Sequence, residues 1–231
     1  MSVTEIVLQG EPTVTVQMRR SAAARRMSLR VSSLDGRVSL TVPKRGSERE
    51  ALAFLHSKEM WLRKHLARQA PMINVDHGVE VPIGGQMYEV VQATKRGVHI
   101  EDRQLRVGGA ANAGAKVQAY LKAQARLILH READQFSQKL GKPYGKLTLR
   151  DTRSRWGSCS SSGNLNFSWR LIMAPPKVLS YVAAHEVAHL AQMNHSDRFW
   201  GVCRDLFGAY EEERTWLRVH GASLHQYRFK D

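Results

Sequence analysis

Residues 185–200 read HEVAHLAQMNHSDRFW, and the first five of them decide what the rest of the chain must support. Upstream, Val178, Val182, Val187 and Leu190 recur at helical spacing behind Pro175-Pro176, a pair that suits a first helical turn. The spacing predicts a helix over 177–193. On it, His185 and His189 project from one side, about 6 Å apart along the axis, so both imidazoles reach one ion. Glu186, beside the first histidine, is placed to face a water on that ion. This geometry makes H-E-x-x-H a hydrolase motif and not merely a histidine pair.

A catalytic zinc takes three protein ligands and keeps one position open. His195 follows His185 by ten residues, too far round if the helix simply continues. Asn194 tolerates the left-handed conformation that ends helices, so a turn there is expected to swing His195 back. The metzincin pattern has the same first-to-third spacing with glycine at the bend. Gln192 occupies that position, so a strict metzincin assignment fails. A carboxylate from a later helix, Glu211, Glu212 or Glu213, is the rival third ligand, and His195 is preferred for its spacing. A closed structural site needs four ligands, often cysteines; three ligands beside Glu186 point to catalysis.

Outward from this stretch, the N-terminal part reads as strands at 13–18, 27–31 and 38–42, with Leu34-Asp35-Gly36-Arg37 as a hairpin turn. Ser47 and Glu50 form a capping box opening a helix over 47–68, with Ala51, Phe54, Leu55, Met60, Trp61 and Leu66 as its apolar stripe. Short strands follow at 79–83, 88–92, 98–100 and 105–107. GGAANAG at 108–114 reads as a linker. Beyond it come a long helix at 117–140, a strand at 146–150, a loop at 152–163, a strand at 164–169 and a helix at 196–207. The class is α+β, with a β-rich N-terminal domain over 1–110 and a catalytic domain over 115–231.

The 231 residues carry 35 Lys and Arg against 21 Asp and Glu, a formal net charge of +14 spread over both halves. Such a field attracts acidic partners, nucleic acid among them, or is simply a solvated basic surface. No helix-turn-helix, zinc finger or stacking motif accompanies it. No apolar run reaches the roughly 18–20 residues of a membrane span. Two cysteines, Cys159 and Cys203, imply no disulfide framework, and the opening MSVTEIVLQGEPTVTV lacks a secretory pattern. A cytoplasmic, thiol-reduced protein without a membrane partner is expected.

Arg155-Trp156-Gly157-Ser158-Cys159-Ser160, Asn164-Leu165-Asn166, the run 171–175 and HEVAHLAQMNHSDRFW together resemble the YgjP-like metallopeptidase family, which is related to SprT-like and other small zincins. The resemblance implies a zincin-like catalytic domain with a small sheet and an H-E-x-x-H helix. It implies one Zn2+ held by His185, His189 and His195, with Glu186 as catalytic acid/base toward a peptide or protein substrate. SprT-like relatives suggest a nucleic-acid-associated protease as an alternative, and a non-catalytic zinc-stabilised fold is a third reading. The R-W-G-S-C-S segment either aligns an extended peptide as an edge strand or loop, or packs Trp156 in the core above a tight turn. Cys159 is a small buried thiol or approaches the metal. Cys203 packs, Phe199 and Trp200 pin the segment after His195, and His56, His65, His130, His220 and His225 are surface or core residues.

Overall fold

The computed structural model describes residues 3–32, 36–67 and 71–229. The chain divides into two units, Met1–Pro71 and Met72–Asp231. In the first, β1 (Val3–Leu8), β2 (Val14–Ser21), β3 (Ser28–Val31) and β4 (Val38–Pro43) form one sheet in the order β1-β2-β4-β3. The β2–β4 pair is parallel and the other two are antiparallel. Alternation turns Val14, Val16, Met18, Val38, Leu40 and Val42 to one face. They share an apolar cluster with Ala51 and Leu55 of α1 (Glu48–Ser57) and Leu62 of α2 (Glu59–Ala67).

The predicted single helix is therefore two. Ser47 and Glu50 do form the capping box, but Lys58 leaves the helical conformation at ψ 2° and interrupts the run. Leu62 is buried, whereas Met60 and Trp61 are 85% and 46% exposed and contribute no core. Arg68 of the predicted helix, and Leu34 and Asp35 of the predicted turn, lie outside the described residues. Strand β1 was not anticipated.

The second unit opens with β5 (Ile73–Asn74), then β6 (Glu80–Ile83), β7 (Gln86–Ala93), β8 (Val98–Glu101) and β9 (Gln104–Gly108), the last four in the order β6-β7-β9-β8. Helix α3 (Ala113–Leu140) follows, then β10 (Leu147–Arg150), β11 (Gly157–Cys159) and β12 (Leu165–Ser168). In this three-stranded sheet β12 is central, parallel to β10 and antiparallel to β11, so β11 is an edge. A 3-10 turn (Trp169–Met173) leads into α4 (Pro176–Ala188), α5 (Asp197–Phe207) and α6 (Glu211–His220). The described chain ends in a second 3-10 turn (Gly221–His225) and β13 (Tyr227–Arg228), which pairs in parallel with β5.

The division between units falls after Pro71, not in the glycine-rich stretch 108–114. Val81, Val90, Leu105 and Val107 bury in the same cluster as Val117, Leu121, Ala125, Leu129 and Ala133 of α3, which ties the β6–β9 sheet to the helices that follow it. Each such Leu or Val contributes about 1.5–3 kcal/mol when fully buried. The stretch read as a linker is a packed joint. A Cβ on Gly108 would stand 2.4 Å from the Lys95 carbonyl oxygen, and one on Gly114 would stand 2.5 Å from that of Val75 and 2.8 Å from that of Phe229. Asn112 turns the chain in the left-handed conformation, and α3 starts at once.

Two alanine substitutions separate this close approach from helix propensity. Gly114→Ala is expected to lose about 1–3 kcal/mol in denaturant unfolding, because the obstructing atoms are backbone. Gly201→Ala, on α5 with nothing within 4 Å of the added carbon, is expected to gain up to about 1 kcal/mol. Equal stabilities for the two variants would refute the packed joint.

Candidate active site

Helix α4 is buried along most of its length, through Val178, Leu179, Tyr181, Val182, Ala183, Ala184, Val187 and Ala188, and this places His185 and Glu186. It stops five residues earlier than predicted. His189 is its C-cap, and Leu190 and Ala191 donate to carbonyls three residues back, tightening the last turn. Nδ1 of His189 lies 3.0 Å from the carbonyl oxygen of Gln192. A carbonyl only accepts, so Nδ1 carries the proton and Nε2 keeps its lone pair. The left-handed Asn194 expected from the sequence does not occur; among described non-glycine residues only Asp102, Arg103 and Asn112 have positive φ. The turn is made at 189–192 instead.

From there the chain runs to Ser196, whose hydroxyl accepts from the Phe199 N–H and caps α5. His195 comes back over α4: its Nε2 lies 3.0 Å from that of His185. One donor atom from each of His185, His189 and His195 falls within 4.8 Å of the others. Two nitrogens on one tetrahedral ion at about 2.0–2.1 Å stand roughly 3.3 Å apart, so the His185–His195 pair at 3.0 Å matches such an ion, and the three rings together could hold one after a small closing shift. Phe199, fully buried, has its ring centroid 4.9, 4.4 and 4.8 Å from the rings of His185, His189 and His195. Trp200 stacks on His195 at 5.6 Å. Both aromatics thus pin the returning segment.

Burial, reinforced by His189, His195 and Arg214, pushes the His185 imidazole down to about 3. Burial also lowers His189, against the opposing bond to Gln192. Neutral imidazoles are the ligating form.

Glu186 is 5% exposed. Burial raises its carboxyl to about 8, opposed by the Arg155 charge and a hydrogen bond from the Cys159 backbone N–H. Its Oε2 has no hydrogen-bond partner, nor does Nδ1 of His185. The carboxyl lies against β11 at the one residue without a side chain: a Cβ on Gly157 would stand 2.5 Å from both Cγ and Oε1 of Glu186.

The R-W-G-S-C-S segment has the edge strand of one reading and the packed tryptophan of the other. Gly157–Cys159 is the edge strand within what was expected to be a loop, while Trp156 is half-buried against His225, 5.2 Å between ring centroids. Cys159 is half-buried and stands outside the group of metal-competent residues, and Cys203 is core. The rival carboxylates also stand outside it: Glu211 accepts from Arg204, Glu212 is exposed and Glu213 is buried.

A cavity of about 440 Å³ opens over these groups, with Tyr181, Arg155, Arg214 and Leu217 in its wall. The sequence reading named Arg155 only as part of the R-W-G-S-C-S segment and passed over the other three. Tyr181 precedes His185 by four residues on the same helix, a spacing that would have found it.

Residues 25–220 match the sequence model described as YgjP-like, metallopeptidase domain. The chain belongs to the YgjP-like metallopeptidase family. Among solved structures, the metallopeptidase zymogen of Pyrococcus abyssi abylysin is similar over 40% of this chain and 92% of its own, with 18% identity and a TM-score of 0.36. No curated protein is matched by the sequence. As a family member the chain is a peptidase that uses a metal. No helix among the described residues is long and apolar enough to cross a membrane.

Gly157→Ala is expected to drive the Glu186 carboxyl from its place; a crystal structure of the variant with that carboxyl unmoved would disprove the contact's importance. His225 yields a pH prediction. Burial, then Arg170 and Arg153, push its imidazole down to about 4, with Asp151 opposing. Because the folded value lies below the unfolded value near 6.5, stability is full above pH 6.5 and falls as pH drops toward 4. The loss is on the order of 3 kcal/mol, and His225→Gln should remove it from the pH–stability slope; an unchanged slope contradicts the assignment.

Proposed function

We propose that this metallopeptidase is a zinc enzyme of zincin type, with His185, His189 and His195 holding one ion and Glu186 as the acid/base. The observation that carries the reading is the return of His195 to within 3.0 Å of His185, beside a buried carboxylate with one free oxygen. Nitrogen donors in threes suit zinc with a position left open. When bound, the ion supplies Lewis acidity toward the scissile carbonyl and makes water acidic near neutral pH.

The protein's own groups do the rest. Glu186 takes the proton of the attacking water and returns it to the leaving amine. The Cys159 N–H holds the carboxyl in place while Oε2 stays open for that proton. The outer edge of β11 lies beside Glu186, and an extended peptide adds to it as a further strand, presenting its carbonyl to the site. Tyr181, Val182 and Leu217 line the cavity and exclude water around the bound chain.

Glu186→Gln is expected to lower peptide turnover by about 10²–10⁴-fold or more while one zinc per chain is retained by elemental analysis. His185→Ala, His189→Ala and His195→Ala are each expected to lose the metal. Full turnover in Glu186→Gln would end the assigned role, and unchanged zinc affinity in His195→Ala would return the third-ligand role to the glutamates of α6.

A further inference from the structure

Three side chains of the Asp, Glu, Lys and Arg types line the cavity: Glu186, Arg155 and Arg214. Glu186 is the one carboxylate among the described lining residues, and it is buried. Arg155 immediately precedes the Trp156-Gly157 step into β11, and Arg214 lies on α6. Both are exposed. Neither makes an ion pair with a carboxylate among the described residues, in contrast to Arg204, which pairs with Glu211 at 2.8 Å.

Arg214 is nonetheless positioned. Its guanidinium lies over the Trp200 ring, 4.8 Å from the centroid, and Trp200 in turn stacks on His195. Stacking of this kind orders a guanidinium while leaving its N–H fork free. Both arginines share the cavity wall with Glu186 and His185. The remaining lining includes Trp156, Val182 and Leu217, which offer packing surface but no counter-charge.

We infer that Arg155 and Arg214 form a subsite for a carboxylate of the peptide substrate, so that the enzyme prefers acidic peptides. The inference rests on the peptidase reading above and adds the substrate class to it. The carboxylate comes from an Asp or Glu side chain near the scissile bond or from a free peptide C-terminus; the chemistry of recognition is the same, a forked charge-assisted hydrogen bond.

The test uses the full-length zinc-loaded protein and three sets of peptides with identical cores: Glu against Gln with amidated ends, Asp against Asn with amidated ends, and a neutral core with a free or amidated C-terminus. The wild type is expected to favour one acidic member by about five- to tenfold in kcat/KM, the range for an exposed charge-assisted contact. Arg214→Gln and Arg155→Gln should each bring that ratio toward one. Arg131→Gln, an exposed change of equal charge on α3, should leave it in place. Binding of the same peptides to the Glu186→Gln protein, read by fluorescence anisotropy, should show the same order without turnover.

A preference in the amidated pairs assigns the side-chain source, and one in the third set assigns the C-terminus. Cleavage of neutral peptides with no acidic preference overturns the subsite and leaves the peptidase reading standing. Acidic preference in binding without cleavage of any peptide keeps the subsite and removes that reading. A ratio lost equally in Arg131→Gln also overturns the subsite, since it reduces the effect to the general field.

Discussion

The end of α4 constrains everything around it. Ten residues of continuous helix would carry His195 about 15 Å beyond His185. The two Nε2 atoms stand 3.0 Å apart, so the chain has to leave the helix almost immediately after the second histidine and double back. The ring of His189 takes part in that reversal. Its Nδ1 bonds the Gln192 carbonyl across the unwinding turn, and the same bond fixes which nitrogen keeps its lone pair. One contact therefore sets both the backbone path and the tautomer. Helix α4 is held in this arrangement because its other faces are buried in the core cluster it shares with α3.

Aromatic packing converts that path into a fixed site. Phe199 touches all three imidazoles, and Trp200, Tyr210 and Tyr181 continue the stacked rings away from it. The polar groups are thus embedded in an apolar setting, which depresses His185 and raises Glu186 for the same physical reason: each loses the hydration of its charged form. Leaving Nδ1 of His185 and Oε2 of Glu186 without partners costs about 1–3 kcal/mol apiece.

What the sequence made legible is what local periodicity encodes. The capping box at Ser47 and Glu50, three of the four strands of the first sheet (β2, β3 and β4) and the long helix ending at Leu140 follow from short-range pattern and agree with the structure within a few residues. The helix over 47–68 misled because Met60 and Trp61 are apolar yet face solvent, and pattern cannot see the break at Lys58. The turn after α4 was placed at Asn194 from residue preference, whereas a side-chain bond from His189 decides it. Arg155 and Arg214 lie 59 residues apart in the chain, and their meeting on one cavity is a tertiary fact with no local signature.

Glycine shows most sharply why the rest was hidden. The stretch 108–114 reads as a flexible linker because four of its seven residues are Gly or Asn, yet Gly108 and Gly114 are required by backbone pressed against them. Gly157 has the same origin with a different consequence. Its missing side chain is the space in which Glu186 sits, while the N–H of Cys159, two residues on, holds the carboxyl. The edge strand and the H-E-x-x-H helix are thus complementary halves of one device. A side chain at position 157 would displace the carboxylate, and a longer loop there would lose both the hydrogen bond and the strand edge. The motif on α4 specifies which groups are available; the bare backbone of β11 specifies where the decisive one can stand.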